Sequence, residues 1–137
     1  MGLTHLDAGV VIGLLNHDDP HHSNSREVLA EALHFGDRLE ASASVYAECL
    51  VTPLRSGTKG AEVVTNFFAR YPIRIIDIDQ DIAFEAARLR SVHTSLRLPD
   101  AFVLATAIVR QANRLATTDG RWSSQVTKAV PLRIDIL

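Results

Sequence analysis

Four carboxylates stand where this chain can do chemistry: Asp7, Glu48, Asp100 and Asp119. Asp7 and Asp119 each close a run that reads as strand, and Glu48 and Asp100 each lie in the opening turns of a run that reads as helix. Asp7 closes the apolar stretch Leu3-Thr4-His5-Leu6. Glu48 lies in the second turn of a helix predicted from residue 45 to about residue 54, with Ser44 as its N-cap. Asp100 follows Pro99 in the first turn of an apolar helix, and Asp119 ends the run that begins at Arg114. Carboxylates brought together repel, and they must take up protons or a cation. Hard oxygen donors at this density suit Mg²⁺ or Mn²⁺. Water held by such an ion is a nucleophile for phosphodiester hydrolysis. An acidic cluster with little basic or thiol chemistry around it therefore points to metal-dependent nuclease chemistry. A plainer reading of Asp100 stands beside this one. A carboxylate in the first turn of a helix gains from the helix dipole and the unpaired N–H groups. Convergence of the other three acids on the same place is what separates the two readings.

The helix that carries Asp100 organises the rest. Pro99 fits its first position, where a missing N–H costs nothing. Ala101, Leu104, Ala105, Ile108 and Ala112 keep helical spacing, and Phe102, Val103, Ala107 and Val109 fill much of the other side. This helix should be buried nearly all round. Strands are predicted at residues 3–6, 38–42, 72–78, 114–118 and 131–136. Helices are predicted at 8–15, at 20–34 with Asp19 as cap, at 61–71, at about 80–93 behind Asp79 or Asp81, and at 121–126. The alternation predicts one α/β domain over residues 1–137, with a central parallel sheet of about five strands flanked by helices on both faces. Sites in such sheets form beyond the carboxyl ends of the strands. Asp7, Glu48 and Asp119 should share that edge, and Asp100 can join them.

Bulk composition narrows the classes. A chain of 137 residues that is 47% hydrophobic and 22% charged reads as one soluble globular domain. No apolar run approaches the ~20 residues of a membrane span. The start of the chain carries neither a basic segment nor a signal-like apolar one. Cys49 is the single cysteine, so it packs as a small apolar residue and no internal disulfide can form. A cytoplasmic location is the expectation. The net charge of −2 gives no overall basic footprint, so any attraction for nucleic acid must come from local patches. Twelve arginines accompany only two lysines, Lys59 and Lys128. Arginine suits bidentate contact with phosphate. No Gly-rich loop ends in Lys-Ser or Lys-Thr, which excludes a P-loop.

The motifs resemble those of the PIN-domain ribonucleases, most closely the VapC-type toxins of prokaryotic type II toxin–antitoxin pairs. Leu6-Asp7-Ala8-Gly9-Val10-Val11-Ile12 resembles the first acidic motif, and Ser44-Val45-Tyr46-Ala47-Glu48-Cys49-Leu50 the second. Leu98-Pro99-Asp100-Ala101, with Ala105-Thr106-Ala107 behind it, is the most specific match. Leu115-Ala116-Thr117-Thr118-Asp119, followed by Trp122, resembles the fourth. The resemblance implies an Mg²⁺- or Mn²⁺-dependent endoribonuclease that cuts tRNA or rRNA and works as a homodimer. It implies inhibition by a VapB-like antitoxin, through which the pair reaches operator DNA. It implies Asp7, Glu48, Asp100 and Asp119 as the acidic metal site, and Thr117 as a hydroxyl that orients a carboxylate or water. One departure is visible. The family often places a small hydroxyl residue soon after the first Asp, and here Ala8-Gly9 stands there.

Other features carry weaker signals. His17, His21 and His22 match no usual zinc spacing and read as loop and helix-start residues. Asp77-Ile78-Asp79-Gln80-Asp81 lacks the glycine and glutamate of a calcium loop, and reads as a strand end with a helix cap. Arg90, Arg97 and Arg121 flank the acidic motifs in sequence and are candidate RNA phosphate contacts. Two alternatives stand beside the nuclease: a non-catalytic PIN-like RNA-binding module, and a phosphoacceptor receiver domain. The receiver would want paired acids after the first strand and a lysine ending the last, neither of which is present.

Overall fold

The computed structural model describes residues 2–137, so Met1 of the predicted 1–137 domain lies outside the described residues. Five strands alternate with seven helices among the described residues. The strands are β1 (Leu3–Leu6), β2 (Arg38–Ser42), β3 (Ile73–Ile76), β4 (Arg114–Thr117) and β5 (Arg133–Ile136). The helices are α1 (Ala8–Leu15), α2 (His22–His34), α3 (Ala43–Ser56), α4 (Thr58–Arg70), α5 (Gln80–Val92), α6 (Leu98–Val109) and α7 (Ser124–Ala129). The sheet runs in the order β3-β2-β1-β4-β5 and every pairing is parallel, as the alternation predicts. Its central strand β1 is buried at all four positions, because helices cover both faces.

The register sets the working edge. Leu6 pairs with Ala116, Ser42 with Ile76 and Thr117 with Ile136, so the carboxyl ends of the strands finish together. α1 begins directly after Asp7, and α3 begins directly after Ser42. Neither junction has room for a loop, which holds the first residues of both helices against that edge.

α6 is buried at Ala101 and from Val103 through Ala107, as its composition predicts. Both of its ends are tied by charge. At the front, Arg97 Nε donates to Asp100 in the first turn. At the back, Arg110 caps the helix and its guanidinium donates to Glu40 of β2, which is 2% exposed. Beside Glu40 in register lies His5 of β1, fully buried, whose ring nitrogens have no hydrogen-bond partner among the described residues.

Several boundaries differ from expectation. Ser42, not Ser44, caps α3: its Oγ accepts from Val45 N at 3.3 Å, and Ser44 Oγ lies 2.6 Å from Ser42 Oγ. The strand passes into the helix without an intervening turn, so the cap sits on the last strand residue. Asp19 does not cap α2. Its Oδ1 accepts from His21 N at 2.8 Å in a local turn, and the helix starts at His22. Pro53 lies inside α3, which continues to Ser56 before Gly57, at φ 116°, turns the chain into α4. Ser123 caps α7, three residues later than the expected start at 121.

Candidate active site

Asp7 is the N-cap of α1, in extended geometry, with Oδ1 accepting from Ala8 N at 2.8 Å. Its Oδ2 accepts from Thr117 Oγ1 at 2.6 Å. The side chain is almost fully enclosed, at 9% exposure. Burial raises its carboxyl above the ordinary range, the Thr117 and Ala8 hydrogen bonds resist that rise, and Asp100 and Asp119 add repulsion. The last two effects place all three aspartates within electrostatic reach of one another.

Thr117 ends β4 fully buried, with Oγ1 also accepting from Asp119 N at 3.1 Å. One hydroxyl thus fixes the rotamer of Asp7 and the backbone that presents Asp119. Asp119 itself is forked by Arg121, with Nε on Oδ1 and Nη2 on Oδ2, each at 2.9 Å. Those bonds, ahead of the fields of Arg121 and Arg97, hold its carboxyl below the usual range. Asp100 meets Arg97 Nε at 3.3 Å. Glu48 projects from α3 toward the same place. Its carboxyl is raised by burial first and then by Asp7 and Asp100, while Arg97 opposes. The four acids predicted from sequence are brought to one edge.

Among the described residues, no three His, Cys, Asp or Glu side chains are drawn tightly enough together to form a ready-made ion cage. Arginines occupy Asp100 and Asp119 instead. The donor chemistry still fits a divalent cation. All four groups are carboxylates, and Asp7 and Glu48 carry charge that burial and acidic neighbours disfavour, a penalty a cation relieves.

Two cavities reach different members of the acidic set. One, of about 190 Å³, is lined by Ser95, Arg97, Asp100, Asp119, Arg121 and Trp122. The other, of about 480 Å³, is apolar and runs between α1, α3 and α4 past Ile12, Leu15, Pro53 and Val63 to Glu48. Cys49 shares that second wall, but burial, with repulsion from Glu48 and Asp7, pushes its thiol up to about 12. It is no nucleophile at neutral pH.

The remaining candidates separate cleanly. Arg90 Nε donates to Leu96 O at 2.8 Å and braces the α5–α6 connection rather than facing the acids. Asp79 caps α5 through Ile82 N at 2.9 Å. His22 Nδ1 lies 2.7 Å from Gly13 O, and His17 pairs only with exposed Asp18. Sequence reasoning missed Thr118. A Cβ on Gly9 would fall 1.9 Å from Thr118 Oγ1, so the threonine hydroxyl fills the space a residue-9 side chain would take. The signal was a glycine in the first helical turn after Asp7, opposite a doubled threonine.

A family model described as the PIN domain matches residues 5–126. The comparison with curated proteins gave no match. Among solved structures, the chain is similar to DNA-bound VapBC from Salmonella typhimurium, at 19% identity, TM-score 0.74 and coverage of 99% of this chain and 98% of that one. It is similar to VapC20 of Mycobacterium tuberculosis, a sarcin–ricin loop cleaving toxin, at 17% identity, TM-score 0.71 and coverage of 86% and 91%. A toxin–antitoxin complex from Klebsiella pneumoniae matches at 26% identity, TM-score 0.62 and coverage of 86% and 88%. With the family model spanning most of the chain and these folds superposing along nearly all of it, the chain belongs to the PIN domain family.

Proposed function

We propose that this PIN domain is the nuclease toxin of a toxin–antitoxin pair, and that it hydrolyses phosphodiester bonds in cellular RNA of the tRNA or rRNA class. The observation that carries the reading is Asp7. It is a nearly buried carboxylate locked by the Ala8 N–H and the Thr117 hydroxyl, with Asp100, Asp119 and Glu48 around it. A structural cap gains nothing from three acidic neighbours; a cation site requires them. Asp7, Glu48, Asp100 and Asp119 would hold Mg²⁺ or Mn²⁺. When bound, such an ion supplies an activated water and stabilises charge on the phosphate.

The chain's own residues do the rest. Thr117 and the Ala8 N–H each engage one oxygen of Asp7, which fixes the carboxylate while each oxygen keeps a further lone pair for a cation. Cys49 is held as a thiol, and among the described residues no histidine is hydrogen-bonded or ion-paired to any of the four acids, so no protein nucleophile or histidine acid–base pair competes with water. Hydrolysis by water leaves the 2′-OH unused, giving 5′-phosphate and 3′-OH ends.

The solved structures similar to this chain include toxin–antitoxin complexes, more than one of them on DNA. They support a VapB-like antitoxin as partner, with operator DNA bound through it; a second copy of this chain in the assembly is part of the same proposal and rests on the family resemblance alone. The apolar groove ending at Glu48 offers such an antitoxin a track toward the acids, where an arginine would take the cation's place. The test is purified protein with total RNA, with and without Mg²⁺ or Mn²⁺. Metal-dependent cleavage, lost reversibly in chelator and lost in Asp7→Asn, is the expected result. Cleavage that persists in chelator, or products ending in 2′,3′-cyclic phosphate, overturns it.

A further inference from the structure

Arg97 and Arg121 are long, exposed side chains, at 56% and 70% exposure, yet both are folded back onto acids. Arg97 reaches Asp100 Oδ2 through Nε at 3.3 Å and Asp119 Oδ2 through Nη2 at 3.8 Å, bridging the two. Arg121 forks both oxygens of Asp119. All four residues line the same cavity of about 190 Å³. We propose that the two arginines are exchangeable counter-ions, which hold Asp100 and Asp119 until a divalent ion binds and then turn to an RNA phosphate in that cavity. The inference rests on the metal reading above and adds a coupling between ion and substrate.

Ion and arginine make competing demands on the same carboxylates. A divalent ion needs carboxylate oxygens, and both oxygens of Asp119 already accept from Arg121. A guanidinium cannot give up its proton, so a divalent ion on the same carboxylate meets a fixed positive charge, and that repulsion favours moving the arginine. Ion pairs between exposed side chains are weak, each worth only a few-fold in equilibrium constant, so the release is easy. Once released, two charged forks stand beside a cavity that already includes Asp100 and Asp119. Planar N–H pairs match phosphate oxygens bidentately. Linkage then makes the effect reciprocal: the ion tightens RNA, and RNA tightens the ion.

The test measures Mn²⁺ binding to the full chain by electron paramagnetic resonance without RNA, and binding of a short, cleavage-resistant phosphorothioate RNA with and without Mn²⁺. Arg97→Ala and Arg121→Ala should each bind Mn²⁺ more tightly than wild type, by roughly 2- to 5-fold. Each should bind the RNA more weakly in Mn²⁺, with the salt slope reduced by about 0.7. The gain in RNA affinity that Mn²⁺ confers on wild type should shrink in both. Mn²⁺ binding that depends on Asp7 but is unchanged or weaker in Arg97→Ala, or an equal Mn²⁺-induced gain in variant and wild type, overturns the exchange alone. No Mn²⁺ binding by wild type or either variant overturns the metal reading, and the exchange falls with it.

Discussion

Thr117 donates its hydroxyl proton to Asp7 because its oxygen is already occupied by the amide of Asp119. The oxygen lies 2.6 Å from Asp7 Oδ2 and 3.1 Å from Asp119 N. The direction of that single proton ties the end of β4 to the start of α1. Thr117→Val keeps the shape and removes the bond. We expect a loss of about 1.5–3 kcal/mol of stability, the range for a hydrogen bond to a charged group. Metal affinity or activity should fall about 10- to 100-fold, as when a partner behind a ligand is removed. Thr117→Ser should restore most of both. Denaturant melts and Mn²⁺ titration read the two effects separately.

Gly9 and Thr118 are predicted to be strongly coupled. Gly9→Ala places a methyl 1.9 Å from Thr118 Oγ1 and should destabilise by about 1–3 kcal/mol. In a Thr118→Ala background that overlap is gone and a 3.1 Å contact to the Cβ remains. There the same substitution should be near neutral, because alanine gains up to about 1 kcal/mol over glycine within a helix. A double-mutant cycle by urea unfolding checks it. Equal costs in both backgrounds would show that the two positions do not meet.

His5 should make the fold acid-sensitive. Burial is the main reason its imidazole is pushed down to about 4; Glu40 opposes the shift and Arg110 reinforces it. The unfolded chain protonates this ring below about 6.5, while the folded chain keeps it neutral to about 4. Between those values the unfolded state binds more protons, so stability falls as pH falls, by about 3 kcal/mol in all. Below that window both states are protonated and this loss stops. His5→Leu should flatten the slope of unfolding free energy against pH across the window.

Asp7 contributes with the opposite sign. Its carboxyl is raised in the fold, so the folded state holds its proton longer and stability is lost as pH rises through the raised value. Asp7→Asn removes that cost while keeping an amide that can still cap α1. We expect the variant, without added metal, to melt a few degrees above wild type at alkaline pH and nearer to it as pH falls toward the ordinary carboxylate range. Mg²⁺ or Mn²⁺ should raise the wild-type melting temperature and leave the variant's almost unmoved. Differential scanning calorimetry with and without chelator measures both.

The sheet was legible because hydrophobic runs and helix-starting residues alternate without interruption, and parallel order follows from that alternation. The acids were legible in a related way: Asp7 and Asp119 sit where strand periodicity ends, and Asp100 follows the proline that opens its helix. Side-chain direction was not legible. Arg97 and Arg121 read as cations near the site, but spacing does not say that both fold onto aspartates. Spacing in α3 pointed to Ser44 as the cap, and the abrupt passage from β2, which puts the cap on Ser42 instead, was not legible. Gly9 read as a missing hydroxyl. Its meaning lies in Thr118, more than a hundred residues away, and nothing local records that contact.

The two fastenings of α6 make its length a functional quantity. Arg110 is moored to Glu40 at one end, and Asp100 stands among the acids at the other. Inserting one residue between them would swing Asp100 by about 100° and advance it about 1.5 Å along the axis. No neighbouring side chain could follow such a rotation. Apolar residues of similar volume can therefore replace one another along this helix, but none can be added or removed without surrendering one of its two ends.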